Sequence, residues 1–494
     1  MAASYYIGID LGTSGVKLIL VDETGQICAQ KTENYPISFP HPGWSEQAPE
    51  DWWSAVVRGL KALTAGIDPS LVAGIGTGGQ MHGLVALDEN DNVIRPAILW
   101  NDGRTAAEVD YLNNEIGKDV LAARTANIAF AGFTAPKLLW MQKNEPENFA
   151  RIRRICLPKD YLTLKLTGIL ATDYSDASGM LLLDVKNKDW SDEMLALCSL
   201  TRDQMPKLME SYEIVGTLSE TAACETGLPR TVKVAAGAGD NAAAAVGTGT
   251  VKDGDCNLSL GTSGTLFIAS DTFGLDPVNA LHSFAHASGR YHLMGCMLSA
   301  ASCNAWLCDN ILKTKDYAAE QADITPDRLG RNHVYFLPYL MGERSPINDT
   351  NARGTLIGMT MDTSRADLVQ AVLEGVAFAL RDSLEVARSL GLTVDHSCLC
   401  GGGARSPLWR TILANVLNVT LEIPQTEEGP SMGGAMLAMV GCGLYPSVEA
   451  CCDALVRITS RVEPDPALTA LYEERYQQYR KLYPALKSVF PKIL

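Results

Sequence analysis

Apolar and polar positions along this chain change period in a recurring order, from short strand-like runs to longer helical spacing. Residues 7–20, IGIDLGTSGVKLIL, form an apolar run that reaches Asp10, then a turn of Gly12, Thr13, Ser14 and Gly15, then a second run led by Lys17. Asp22-Glu23-Thr24-Gly25 supplies the next turn, so residues 5–35 read as a three-stranded antiparallel meander. Residues 48–63 carry apolar positions at helical spacing behind Glu50 and Asp51. Strands are expected at 71–76 and 84–87, with TGGQMHG (77–83) between them. Helices follow from Arg104 to residue 116 and over 133–144, where Pro136 sits near the first turn. Residues 231–236 read as a strand, 237–241 as a turn and 241–246 as the start of an alanine-rich helix.

The second half repeats the opening. LGTSG recurs at 260–264 inside NLSLGTSGTLFIAS, about half a chain length from its first copy at 11–15. That recurrence suggests a duplicated fold with one such turn per half. Helices are expected near 299–313 and 315–323, and a long one at 365–390 presents Leu368, Val372, Val376 and Ala379 on one face. A strand ending at Leu399–Cys400 leads into GGGARS (401–406), which opens another helix. A small-residue helix is expected at 430–440 and an amphipathic one at 467–483. The stretch 247–254, GTGTVKDG, reads as the seam between lobes. The expected domains are therefore 1–246 and 247–494.

Composition narrows the class. A chain of 494 residues, 47% hydrophobic and 20% charged, suits a globular protein with a large core. Its net charge of −16 argues against nucleic acid or an anionic membrane as partner. No secretory leader or membrane-length apolar run is read, so a cytoplasmic protein is expected. The 13 cysteines are scattered and include no CxxC pair, which suits reduced, buried thiols better than zinc or a disulfide framework.

A Gly/Ser/Thr turn between two strands exposes backbone N–H groups that hold anions. An acid beside it, here Asp10, repels phosphate but can hold magnesium against phosphates. Two such turns suggest two lobes gripping one nucleotide. GGGARS lets a flat group such as adenine or ribose lie against its backbone. No GxxxxGK(S/T) loop occurs, so an ATP enzyme here is not of the P-loop class.

The turn GAGDNA (237–242) leaves three readings open. It fits the dinucleotide pattern GxGxx(G/A), although Asp240 would point a negative charge at a pyrophosphate. It could present Asp240 to a hydroxyl as a proton acceptor, the helix N-terminus keeping the acid ionised. It could be a plain helix cap. GxGxxG at 74–79 runs into a strand and fails the dinucleotide context. Gln80, Met81 and His82 stand in a turn where side chains can face a cleft, with a satisfied core histidine as the alternative for His82. Trp44, Trp52 and Trp53 read as packing residues, and Arg151, Arg153 and Arg154 as a solvated helix face. Asp160, Asp173 and Asp176 fall in loop-like settings.

DLGTSGVK (10–17), GQMHG (79–83), ILWNDGR (98–104), GFTAPKLLW (132–140), LPKDYL (157–162), GDNAAAAVG (239–247), LSLGTSG (258–264), LPYLMGERSP (337–346) and GGGARS together resemble the FGGY family of carbohydrate kinases. The resemblance runs nearly end to end. It implies an α/β, two-lobe, actin-like ATPase (ribonuclease-H-like) fold, duplicated, with a cleft between lobes. It implies ATP and Mg2+ as cofactors and phosphorylation of D-xylulose to D-xylulose 5-phosphate. Ribulose, fuculose or glycerol are the alternative acceptors, and glycerol kinases carry Arg-Glu where Met81 and His82 stand. By the same resemblance Asp240 is the general base and Asp10 organises the metal. Met81, His82 and Asn241 contact the sugar. Thr13, Lys17, Gly261, Thr262 and Ser263 surround the phosphates, and Gly402, Gly403 and Arg405 lie near the adenosine. Trp306 is a further candidate for a wall of the nucleotide site. A homodimer is expected. Rivals outside the family are a non-catalytic actin-like filament or chaperone lobe and a dinucleotide-dependent oxidoreductase.

Overall fold

The opening hairpin is the centre of a sheet. In the computed structural model, which describes residues 4–278, 280–425 and 428–493, β1 (Tyr5–Leu11) pairs antiparallel with β2 (Gly15–Asp22), and β2 with β3 (Ile27–Asn34). On its other side β1 runs parallel to β4 (Val72–Gly79), with Ile7, Ile9 and Leu11 alternating onto one face, where they are wholly buried. The sheet closes with β5 (Ile214–Thr217) and β6 (Lys233–Ala235) in the order β5-β6-β4-β1-β2-β3. Helix α1 (Pro49–Thr64) packs Trp52, Val56 and Leu60 onto it.

The second half builds the same sheet again. β7 (Cys256–Leu260), β8 (Gly264–Ser270), β9 (His282–Ala285), β10 (Tyr291–Met297), β11 (His396–Cys400), β12 (Thr420–Pro424) and β13 (Ile458–Val462) take the order β13-β12-β11-β7-β8-β10-β9. Read from β5 in one sheet and β13 in the other, the first five neighbour pairs are antiparallel, parallel, parallel, antiparallel, antiparallel in both, and the second sheet adds the antiparallel β10–β9 pair. The duplication suggested by the repeated pentapeptide is therefore a duplication of topology.

Two helices join the halves. α2 (Asp240–Gly247) and α4 (Gly429–Cys442) pack against each other, with the long α3 (Arg365–Ser389) in the second core. α4 belongs to the second half of the chain yet lies on the first sheet. A Cβ on Gly8 would come within 1.8 Å of Ser431 O, and one on Gly433 within 1.8 Å of Ala243 O. Both contacts bring backbone against backbone, which only glycine permits.

The strand expected at 71–76 runs on to Gly79. The basic run reads differently from expectation: Arg154 begins the short strand Arg154–Cys156 and pairs with Asp91 rather than lying on a solvated helix. Trp52 and Trp53 are buried as expected, and Trp44 packs edge-on to Trp140. Among the described residues, which include all thirteen cysteines, no disulfide forms. Among the described residues no helix is long and apolar enough to cross a membrane.

Candidate active site

Three strand ends meet at one edge of the first sheet. Leu11 pairs with Gly79, and the short strand Ala238–Gly239 pairs with Gly78 and Gly79 from the other side. The ends of parallel strands form the crevice where open α/β sheets bind ligands. Here that register brings Asp10, the Gln80–His82 turn and Asp240 to one place.

Asp240 is the first residue of α2, behind Gly239 at the cap position. Its Oδ1 accepts from the backbone N–H of Asn241 at 2.7 Å and from Asn241 Nδ2 at 2.9 Å. Both bonds land on Oδ1, which leaves Oδ2 for an incoming hydroxyl. The low pKa expected of an acid at a helix N-terminus is corrected, although the group stays ionised at neutral pH. Burial pushes its pKa up to about 6, against the two Asn241 bonds that lower it. Asn241, expected to contact the sugar, gives one Nδ2 proton to Asp240, and the same nitrogen lies 4.0 Å from Met81 Sδ.

Met81 is buried, and a Cβ on Gly239 would come within 3.0 Å of its Sδ. His82 sits in the left-handed region at φ 69°. Its carbonyl accepts from Thr134 Oγ1 at 3.0 Å and from Lys137 Nζ at 2.9 Å, and Lys137 also donates to Gly132 O at 2.6 Å. Its Nδ1 meets Gly179 O at 2.8 Å. Burial, with Lys137 and Arg344 nearby, drives the imidazole pKa down to about 3, so the ring is neutral. A neutral ring that donates from Nδ1 keeps Nε2 as an acceptor. Thr134 and Lys137 come from GFTAPKLLW, a motif to which sequence reading gave no role.

Around the first LGTSG turn, Trp100 Nε1 donates to Thr13 Oγ1 at 2.9 Å, and Gln47 Nε2 donates to Thr13 O at 2.7 Å. Lys17, expected at the phosphates, forms an ion pair of 2.5 Å with Glu428 just before α4. Asp10 has its pKa raised to about 7, by burial first and then by the charge of Asp240, with Lys17 opposing. A cavity of about 280 Å³ is lined by Asp240, Asn241, Thr248, Asn257, Ser259 and Thr265 among others, and so reaches from the base to the second sheet.

The second turn opens onto a larger space. Gly261 and Thr262 line a cavity of about 1130 Å³ together with Gly402, Gly403, Arg405 and Trp409. Ser263 is exposed at the same turn. Gly401 has φ 89°, and a Cβ there would strike the Leu260 backbone, whereas a Cβ on Gly402 would meet nothing within 4 Å. Trp306 does not form this wall. Ala305 does, while Trp306 stacks on Phe336 with ring centroids 6.3 Å apart. The opposite wall is Tyr317, Ala318, Gln321 and Ala322, a stretch in which the sequence offers no recognisable pattern. Gln321 Oε1 there accepts from Ser406 Oγ at 2.5 Å.

The arrangement pairs a small polar cavity holding a carboxylate with a larger cavity lined by a glycine-rich turn. The FGGY family of carbohydrate kinases, N-terminal domain, matches residues 5–247, and its C-terminal domain matches residues 256–442. A xylulose kinase of Escherichia coli (strain K12) is 45% identical over 97% of this chain and 99% of its own. One from Bacillus subtilis (strain 168) is 36% identical over 98% of each. The crystal structure of a xyloylose kinase from Brucella ovis superposes with a TM-score of 0.93 at 43% identity, covering 98% of this chain and 100% of that one.

Proposed function

Because the chain belongs to the FGGY family of carbohydrate kinases, we propose that it transfers the γ-phosphoryl group of ATP to the terminal hydroxyl of D-xylulose, giving D-xylulose 5-phosphate. The observation that carries this reading is Asp240 at a 280 Å³ cavity, its Oδ1 held by Asn241 and its Oδ2 left over, with Met81 packed on the preceding Gly239.

In this reading residues 1–246 form the sugar lobe and 247–494 the nucleotide lobe. The ketose lies between Asp240 and the Met81–His82 turn, where the neutral His82 Nε2 accepts from a sugar hydroxyl. Asp240 Oδ2 accepts the proton of the attacking hydroxyl as the O–P bond forms. A carboxylate near pKa 6 is a better acceptor than an ordinary aspartate and is still ionised at neutral pH. Phosphoryl transfer through a loose transition state needs alignment more than a strong base. The two LGTSG turns present backbone N–H groups to the phosphates, and Gly402, Gly403 and Arg405 border the adenosine.

Asp10 fits a magnesium site. It is a hard oxygen donor whose charge burial and Asp240 oppose, so a cation beside it relieves both. Among the described residues no group of three metal-ligating side chains exists. An ion there would be held by Asp10, the phosphates and water, and would supply charge neutralisation on the phosphates. Lobe closure excludes water that would otherwise hydrolyse ATP. The enzyme acts in the cytoplasm as a homodimer in this reading.

A substrate panel with coupled ADP detection tests the acceptor. D-xylulose should give the highest kcat/KM, ahead of ribulose, fuculose and glycerol. A higher value for any of those three would reassign the substrate.

A further inference from the structure

We infer that Lys159 is a positioning residue for Asp240, acting through Asp173 and Ser175. The inference rests on the reading of Asp240 as proton acceptor. Lys159 lies in the helix Pro158–Thr167, within the LPKDYL stretch. Its side chain is wholly buried, as are those of Asp160, Asp173 and Asp176 around it. The ammonium donates to Asp160 Oδ1 at 2.7 Å and to Ala236 O at 3.3 Å, and forms an ion pair with Asp173 Oδ1 at 2.9 Å that lacks hydrogen-bond geometry. Asp176 Oδ2 stands farther off, at 3.8 Å.

Both carboxylates pass the constraint on. Asp160 Oδ2 accepts from Leu157 N at 3.1 Å and fixes the helix start. Asp173 Oδ2 accepts from Ser175 N at 2.9 Å, Ser175 Oγ at 2.5 Å and Ser211 Oγ at 2.7 Å. Ser175 Oγ, its proton given to Asp173, accepts the Gly239 N–H at 3.2 Å. Gly239 is the residue before Asp240.

The turn so held is Ala236-Gly237-Ala238-Gly239, with Gly237 at φ 78°. Two glycines in four residues make this backbone costly to order. Lys159 grips its first carbonyl and Ser175 its last N–H, so the direction of the Asp240 side chain is set from both ends. Further along the stretch that carries Ser175, Gly179 O meets His82 Nδ1 at 2.8 Å. Residues 173–179 therefore touch both the backbone before Asp240 and the His82 ring. A buried ion pair of this kind is a weak source of stability against an apolar replacement, whereas it specifies geometry.

Ser175→Ala removes the Gly239 acceptor and leaves the ion pairs intact. The expected result is a fall in kcat for D-xylulose of about ten- to a hundredfold, with the KM for ATP and the melting temperature close to wild type. Lys159→Met should lose kcat at least as far. It strands two buried carboxylates, so where it fails to fold Ser175→Ala carries the test. Asp240→Asn is assayed beside them. If Asp240→Asn is inactive while Ser175→Ala keeps wild-type kcat, the positioning role is overturned and the proton-acceptor reading stands. If both keep wild-type kcat, the proton-acceptor reading fails and this inference with it.

Discussion

Asn241 Nδ2 lies 4.0 Å from Met81 Sδ while donating to Asp240 Oδ1, so two motifs 160 residues apart form one surface. The sheet register explains the contact. Gly79 at the end of β4 has Leu11 on one side and Gly239 on the other, and each motif begins where its strand stops.

The Gln80–His82 turn is held from behind by Lys137. Lys137→Met removes the donor to Gly132 O, whose unpaired carbonyl costs about 1–3 kcal/mol, and one of the two donors to His82 O, which Thr134 Oγ1 still serves. His82 also sits at an unfavourable φ that needs outside support. The KM for D-xylulose should rise about tenfold and the KM for ATP should not change. Steady-state kinetics with each substrate varied in turn checks this.

The nucleotide cavity is tested at Gly402. A side chain there meets nothing within 4 Å, so the fold accepts it and the cavity is partly filled. Gly402→Leu should keep the wild-type melting temperature and the KM for the sugar, while the KM for ATP rises about tenfold or more. An unchanged KM for ATP would move the adenosine elsewhere.

Much of this was legible in the sequence, for physical reasons. The two LGTSG turns stand out because a Gly/Ser/Thr cluster between apolar runs has few other uses, and both became hairpins at the cleft. Asp240 was legible by position but not by electrostatics. Its neighbours on the helix suggested an ionised acid, and only the folded chain revealed how far burial outweighs the helix end. Lys17 pairs with Glu428 across 411 residues, a separation that local pattern does not encode. The wall made by Tyr317, Ala318, Gln321 and Ala322 carries no motif because it is built of small or ordinary side chains. Trp306 misled for the opposite reason, since a large aromatic can serve a core as well as a ligand.

The helix pair α2 and α4 gives a stability prediction. Gly433→Ala places a methyl 1.8 Å from Ala243 O, and backbone on both sides has nowhere to move cheaply. The substitution should destabilise by about 1–3 kcal/mol or more, despite alanine's better helix propensity. Thermal unfolding checks this, and an unchanged or higher melting temperature would show that the helices do not pack this closely.

Glu343, in GERSP, accepts from Leu298 N and Arg344 N at 2.8 Å each, and burial pushes its pKa up to about 8 from an ordinary 4.5. Between those values the folded protein holds a proton that the unfolded chain has lost. Its contribution to stability is complete below about pH 4.5 and is lost as pH rises through about 8. Glu343→Gln keeps an acceptor and cannot titrate. Wild type should lose roughly 1 kcal/mol per pH unit more than this variant between pH 6 and 8. Urea unfolding at both pH values checks the difference.

The central claim is that Asp240 takes the proton of the attacking hydroxyl. The direct measurement is D-xylulose-dependent ADP formation by Asp240→Asn, with the melting temperature recorded on the same preparation. Turnover lower by roughly two orders of magnitude or more in a protein that melts like wild type is the predicted result. Near-normal turnover would contradict the account.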